Sequence, residues 1–277
     1  MPEMKKIGLE EQKKIMLEML VDFAAFCDAH QLDWFLTGGS MLGAVRHHGF
    51  IPWDDDIDVG MPRRDYERFR ELYPQEKTRP EYEFVTYHEE PDLYVSSGKL
   101  HHTGTVLREA ADSELELGIY LDIFPLDNAG DTMDEARKLF EDTMEIRRRI
   151  DVQNWKIIKE RAWYKNAVIA VLKAMAPKGI RPQLIKELDE TCRRFEGPEM
   201  TQYVGFVCAA HNGLKEILHK EWFSEYIKVP FEEYTFQIPA RYDEILSGFY
   251  NSDYMQLPPP EKQKSHHVYD AEWKDAV

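Results

Sequence analysis

The sequence has few cysteines and no long apolar run. Its three cysteines, Cys27, Cys192 and Cys208, lie far apart in a chain of 277 residues, which gives neither a disulfide framework nor a metal-ligand spacing. No apolar stretch approaches the roughly 20 residues of a membrane-spanning helix, and residues 1–11 lack the apolar core of a signal peptide. We therefore expect reduced thiols and a cytoplasmic location, with any membrane contact being peripheral, at the inner face.

Positive charge is also scarce, because 35 Lys and Arg stand against 51 Asp and Glu, a formal net charge of −16. Nucleic-acid binding requires a basic surface that neutralises phosphates, so this balance excludes a general nucleic-acid-binding protein. Residues 147–194 are the exception, with 13 basic against 5 acidic side chains, or +8, which leaves −24 for the remainder. This segment indicates either a surface that meets an anionic membrane or glycolipid, or a helical insert with a solvated basic face.

The segment with the most candidate catalytic and metal-binding residues runs from Trp34 to Met61, with the sequence WFLTGGSMLGAVRHHGFIPWDDDIDVGM. It indicates an apolar strand, a Gly38-Gly39-Ser40 turn that leads into a helix from Ser40 to His47, and an acidic run before a second strand. Backbone N–H groups at a helix N-terminus bind phosphate oxygens. Successive side chains of a strand point to opposite faces, so Asp56 and Asp58 are expected on one face. Two such carboxylates favour Mg²⁺ or Mn²⁺.

Three further charged residues are candidates for the same site. Asp122 interrupts an apolar run, where a carboxylate is costly to bury unless it is paired or binds a metal. It either joins the metal site or takes the proton of an acceptor hydroxyl; the alternative is a strand-end acid paired with a nearby cation. Arg46 and Lys99 are candidates for holding phosphates, with surface ion pairs as the alternative. Asp54 and Asp55 are expected to shape the loop or add charge, with direct metal ligation as the alternative.

Hydrophobic periodicity and turn signals predict an α+β protein in three parts. Residues 1–130 form the catalytic core, 131–196 a helical insert, and 197–277 a portion that packs back on the core. The predicted core elements are helices at 9–30, 40–47 and 63–73, and strands at 33–36, 57–61, 118–124 and within 83–107. Pro125 and the Asn128-Ala129-Gly130 turn are expected to close the strand that carries Asp122.

These motifs resemble those of a known family. Gly39-Ser40 followed by Asp56-Ile57-Asp58-Val59 resembles the signature of the nucleotidyltransferase superfamily. The longer string from Leu42 to Asp58 is similar to the LicD family, as is the late segment from Tyr254 to Pro259 with Ser265-His266-His267 behind it. The resemblance implies a nucleotidyltransferase-like mixed sheet flanked by helices. It also implies a third acid, here Asp122, from a later strand, and a tail histidine, His266 or His267, that reaches the site.

The LicD resemblance implies a metal-dependent transferase with a CDP-activated alcohol as donor. Such an enzyme moves a phosphorylated small alcohol, phosphocholine or a relative such as ribitol phosphate, to a hydroxyl of a glycan or glycolipid precursor. Lipopolysaccharide and teichoic acid are acceptors of this class, and CMP is released. Two alternatives stay open: a nucleotidyltransferase that moves NMP from an NTP to a small-molecule hydroxyl, and an inactive nucleotide- or glycan-binding protein. The donor phosphates would contact Gly38, Gly39, Ser40, Arg46, Lys99 and His267, and the metal would bind Asp56, Asp58 and Asp122.

Overall fold

The computed structural model describes residues 5–108, 115–155, 157, 162–175, 177, 179–210, 213–264 and 270–274. Its helices are α1 (Leu9–His30), α2 (Gly38–His47), α3 (Arg63–Glu76), α4 (Met133–Asn154), α5 (Trp163–Met175), α6 (Ile180–Cys192) and α7 (Tyr242–Tyr250). Its strands are β1 (Lys6–Ile7), β2 (Phe35–Leu36), β3 (Asp58–Pro62), β4 (Tyr82–Val85), β5 (Gly98–His102), β6 (Thr105–Arg108), β7 (Tyr120–Gly130), β8 (Tyr203–Gly205), β9 (Leu218–His219), β10 (Tyr226–Phe231), β11 (Tyr234–Pro239) and β12 (Asp270–Trp273). The predicted α+β class is confirmed.

The main sheet is mixed. Its strand order is β2-β3-β7-β5-β4, with β8 paired to β7 and β9 to β8. Strands β3 and β7 run parallel, whereas the other pairs in this sheet are antiparallel. A small sheet of β1, β12 and β6 and the β10–β11 hairpin complete the strand pairing of the described residues.

The parallel pair lies at the centre of the core. Val59 and Met61 of β3 and Leu121 and Ile123 of β7 are fully buried, as expected for parallel strands covered on both faces. Helices α1 and α3 pack against β7, and α2 packs against β3. The buried apolar residues therefore fix the positions of the acidic residues at the start of both strands.

The prediction that Pro125 closes its strand is wrong, because β7 continues to Gly130. Strand β5 pairs with β7 from Tyr120 to Ile123, and β8 pairs with it from Asp127 onward. Pro125 falls in the interval between these two antiparallel partners. A residue without an N–H therefore removes no bond from either of those ladders.

Helices α4 and α6 pack against β7. Helices α4 and α6 share an apolar cluster that includes Phe140 and Ile185, and α5 packs against α4. Arg63 of α3 donates two hydrogen bonds to Asp127 at 2.6 and 3.0 Å and a third to Asp189 of α6 at 3.1 Å. This buried ion network ties α6 to the sheet. The division of the chain into three parts stays a prediction.

The structure bears on the expected state of the cysteines and on the expected lack of a membrane-spanning helix. Cys27, Cys192 and Cys208 are buried free thiols, and burial raises the pKa of each above its ordinary value. They are therefore poor nucleophiles. Among the helices of the described residues, none is both long enough and apolar enough to cross a bilayer.

Candidate active site

Two aspartates occupy matching positions on the parallel strands. Asp58 begins β3 and lies in register with Asp122 of β7, and the Asp122 N–H donates to the Ile57 carbonyl at 3.0 Å. Paired residues of parallel strands project from the same face of a sheet. The fold therefore brings together two acids that lie far apart in the sequence.

Lys99 of β5 completes this part of the site from the other side of β7. It lies in register with Asp122, its Nζ is 3.0 Å from Asp122 Oδ1, and the residue is 3% exposed. The ammonium also lies 3.3 Å from the centre of the Tyr120 ring, a cation–π contact. Burial lowers the pKa of Lys99, while Asp122, Asp56 and Asp58 act to raise it. In this structure Lys99 faces the carboxylates, and its predicted contact with donor phosphates stays a prediction.

The N-terminus of α2 lies directly against the acids. The predicted Gly38-Gly39-Ser40 turn is in fact the first turn of α2. Gly38 has φ +53°, and a Cβ there would lie 2.7 Å from Asp58 Oδ2; at Gly39 it would lie 2.9 Å from Asp54 Oδ2. Ser40 Oγ accepts a hydrogen bond from the Asp58 N–H at 2.8 Å. The two glycines thus let carboxylates approach a helix N-terminus, where negative charge is favoured.

The acidic run reaches the site as a loop. Strand β3 begins at Asp58, so the prediction that Asp56 lies in the same strand is wrong. Asp56 precedes the strand, and carboxylate oxygens of Asp54, Asp55 and Asp56 lie within 4.8 Å of one another. Close groups of carboxylate oxygens suit a hard divalent cation. The carboxylates of Asp54, Asp55 and Asp56 therefore form a donor set that fits Mg²⁺ or Mn²⁺, and Asp58 and Asp122 are not part of this close group.

The carboxylates crowd one another electrostatically. Burial raises the pKa of Asp58 well above its usual range. The carboxylates of Asp56, Asp122 and Asp54 raise it further, and Lys99 opposes them. These surroundings favour the neutral form of Asp58, and a divalent cation at the cluster would favour its ionised form.

Helix α1 holds the acidic loop in place through residues that sequence reasoning missed. Gln12 Nε2 donates to the Asp55 carbonyl at 3.0 Å. Lys13 Nζ donates to the carbonyls of Ile51 and Pro52 at 3.3 and 3.0 Å. Both side chains are buried. The sequence signal was weak, because two polar residues beside an apolar stripe ordinarily mark the solvated side of a helix.

Arg46 of α2 contacts the late segment that resembles the family. Its Nη1 donates to the Tyr254 carbonyl at 2.8 Å and to the Gln256 carbonyl at 3.3 Å, and its Nε donates to His47 at 2.9 Å. These bonds place the segment beside α2. The predicted role of Arg46 at phosphates stays a prediction, and His266 and His267 lie outside the described residues.

Tyr250 is a third residue that sequence reasoning missed. Burial raises the pKa of this phenol, and Asp58, Asp54 and Asp56 raise it further. Tyr250, at the C-terminal end of α7, therefore lies within electrostatic range of the acids. No local pattern in the sequence marks this position, because it depends on how α7 packs on the rest of the protein.

Comparison with known protein families identifies the domain that carries this site. Residues 31–151, which carry Asp56, Asp58, Lys99 and Asp122, match the family described as LicD/FKTN/FKRP, nucleotidyltransferase domain. This match, together with a LicD relative that is 33% identical over 97% of the chain, shows that the chain belongs to the LicD family.

Individual relatives agree with this assignment. The chain is 33% identical over 273 residues to the lipopolysaccharide cholinephosphotransferase LicD of Haemophilus influenzae, a match covering 97% of this chain and 99% of that protein. It is 47% identical over 38 residues to the human ribitol 5-phosphate transferase FKRP, covering 14% of this chain and 8% of that one. It is also 33% identical over 76 residues to the uncharacterized protein RT0683 of Rickettsia typhi, covering 27% and 25%.

Proposed function

We propose that this protein is a metal-dependent transferase with a nucleotidyltransferase-like core. It moves a phosphorylated small alcohol, phosphocholine or a similar group, from a CDP-activated donor to a hydroxyl of a cell-surface glycan precursor. The observation that carries the proposal is the register of Asp58 and Asp122 on parallel strands beside the N-terminus of α2. Similarity to a cholinephosphotransferase over almost the whole chain supports the reaction class.

The acids would hold the cation. We assign Asp56, Asp58 and Asp122 as ligands of Mg²⁺ or Mn²⁺. The bound cation would neutralise charge on the donor diphosphate. Lys99 holds the Asp122 carboxylate in place through its 3.0 Å contact. Asp122 would bind the cation or accept the proton of the attacking hydroxyl.

The N-terminus of α2 would position the donor phosphates. Its backbone N–H groups at Gly39 and Ser40 and the Ser40 hydroxyl can donate to phosphate oxygens. The acceptor oxygen attacks the phosphorus that carries the alcohol, and the bond from that phosphorus to the bridging oxygen breaks. CMP leaves with the bridging oxygen, and Asp122 takes the hydroxyl proton when it acts as the base. Orientation and charge neutralisation supply most of the rate in phosphoryl transfer.

The nucleotide product distinguishes this function from its alternatives. Purified protein with Mg²⁺ is incubated with CDP-choline, CDP-ribitol and the four NTPs, each with and without a lipopolysaccharide acceptor. We expect CMP from a CDP-alcohol, at a rate that rises when acceptor is added. Pyrophosphate from an NTP would replace the proposal with nucleotidyl transfer. Binding of a CDP-alcohol without any product would indicate a non-catalytic binding protein.

A further inference from the structure

Helix α5 presents its apolar side to solvent. Ile169 is buried, whereas Trp163 is 80% exposed and Met175 is 78% exposed. Further large apolar side chains of the helix are also exposed: Tyr164, Val168, Val171 and Leu172. Soluble proteins seldom leave a contiguous apolar patch of this kind uncovered.

The exposed residues form one continuous face. Tyr164, Val168, Val171, Leu172 and Met175 follow the spacing i, i+4, i+7, i+8 and i+11, which places them on the same side of a helix. We call these five residues the α5 face. The more buried residues Asn166, Ile169 and Lys173 lie on the opposite side, and α5 packs against α4. One side of the helix therefore packs against the protein, and the opposite, apolar side is exposed to solvent.

The charge of the helix favours an anionic partner. Helix α5 carries Lys165 and Lys173 and no Asp or Glu, within the segment 147–194 that bears +8 in a chain of −16. A second copy of the chain would bring the same basic charge against this surface, and two molecules of −16 would repel. An anionic lipid surface instead complements Lys165, which is exposed, whereas Lys173 lies on the side of α5 that faces the protein.

The composition and length of α5 indicate how the helix would contact a membrane. Trp163 and Tyr164 stand together at the start of α5, and these two residue types are enriched at membrane–water interfaces. The helix has 13 residues and is about 20 Å long, shorter than the roughly 30 Å of a bilayer core. It can therefore lie in the interface but cannot cross the membrane.

We propose that α5 docks this protein on an anionic membrane, with the α5 face among the lipid headgroups and upper acyl chains. The inference goes beyond the transfer reaction and does not depend on it, because it concerns binding in the absence of any donor. If both proposals hold, the docked enzyme meets acceptors that carry a lipid anchor.

Vesicle sedimentation of the full-length protein tests the proposal. Binding is measured to phosphatidylglycerol–phosphatidylcholine vesicles and to pure phosphatidylcholine vesicles at low and at about 0.15 M salt. The test variant is L172Q/M175Q. The matched control is L214Q/M255Q, which removes the same residue types at exposed positions elsewhere; Leu172 and Leu214 are 42% and 40% exposed.

We expect binding to the anionic vesicles that weakens with salt. L172Q/M175Q should bind at least about tenfold more weakly, because burial of two apolar side chains in the interface is lost, and the control should bind like the wild type. Trp163 supplies a second readout: vesicles should shift tryptophan emission to shorter wavelength, and W163F should lose most of that shift. Absence of sedimentation with anionic vesicles at low salt would overturn the proposal. A dimer in analytical ultracentrifugation that L172Q/M175Q converts to monomer, without vesicle binding, would make the α5 face a contact between copies.

Discussion

The Lys99 ammonium lies 3.0 Å from Asp122 Oδ1, and strand register sets this pair because Lys99 of β5 stands opposite Asp122 of β7. The Lys99 side chain is buried, and the Asp122 side chain is 17% exposed. Removing one partner of a buried ion pair is costly, because the other charge stays behind without compensation. The pair therefore links the stability of the sheet to the charge of the site.

We expect Lys99→Met to lower the free energy of unfolding by roughly 3 kcal/mol in the absence of divalent cations. Mg²⁺ should restore much of this loss, because it supplies the positive charge that the variant lacks. Urea denaturation with and without Mg²⁺ measures both effects. Lys138→Met is the control, since Lys138 pairs with Asp142 at 2.6 Å on the exposed side of α4 and its loss should change little. A Lys99 variant that responds to Mg²⁺ as the wild type does would contradict a shared charge balance.

Gly38→Ala should reduce turnover about a hundredfold. The residue has φ +53°, and its new Cβ would lie 2.7 Å from Asp58 Oδ2, so the carboxylate would have to move. Gly179→Ala is the matched control, because Gly179 has φ +68° but no described atom within 4 Å of an added Cβ. Each variant should lose about 1–2 kcal/mol of stability through backbone strain, measured by denaturation. Equal turnover in the two variants would show that the close approach to Asp58 has no role in the reaction.

Arg46→Lys tests whether this residue positions the late segment or only supplies charge. Lysine keeps the positive charge but cannot reproduce the planar fork that reaches the carbonyls of Tyr254 and Gln256. We expect faster proteolytic cleavage near residue 255, together with lower turnover. Arg241→Lys, at an exposed pair with Glu244, is the control. Wild-type cleavage and wild-type turnover in Arg46→Lys would assign Arg46 a role as a charge alone.

His101 should make stability fall as the pH is lowered. Burial lowers the pKa of His101 to about 4, and its Nδ1 accepts the Gly118 N–H at 3.2 Å. Between about pH 6.5 and pH 4 the unfolded chain therefore binds a proton that the folded chain does not, which favours unfolding by up to about 3 kcal/mol. His101→Asn keeps an acceptor but does not titrate. Its stability deficit relative to the wild type should shrink as the pH falls through this window; a constant deficit would contradict the linkage.

Local parts of the site could be predicted from the sequence. The helix after Thr37 and the strand that begins at Asp58 both depend on neighbouring residues in one block. Turn residues and apolar spacing carry that information directly. The helical nature of residues 163–175 was predicted for the same reason.

Contacts between distant residues could only be suggested. The register of Asp58 with Asp122 and the contact of Arg46 with Tyr254 depend on how buried strands and helices dock, and no local pattern encodes that choice. The β10–β11 hairpin was missed because its turn uses Glu232, with φ +51°, in place of the usual glycine. The exposure of the α5 face could not be predicted from the sequence either. Hydrophobic periodicity identifies the apolar side of a helix, but it does not show whether another element covers that side.

The most direct test of the central claim compares Asp58→Asn and Asp122→Asn with the exposed Asp134→Asn. Donor cleavage and the Mg²⁺-induced rise in melting temperature are measured for each variant at saturating Mg²⁺. We predict that both site variants lose turnover by about a thousandfold, since several kcal/mol of charge stabilisation is removed, and lose most of the Mg²⁺ response, while Asp134→Asn keeps both. Wild-type turnover and a wild-type Mg²⁺ response in Asp58→Asn would contradict the claim that these paired strand carboxylates form the catalytic metal site.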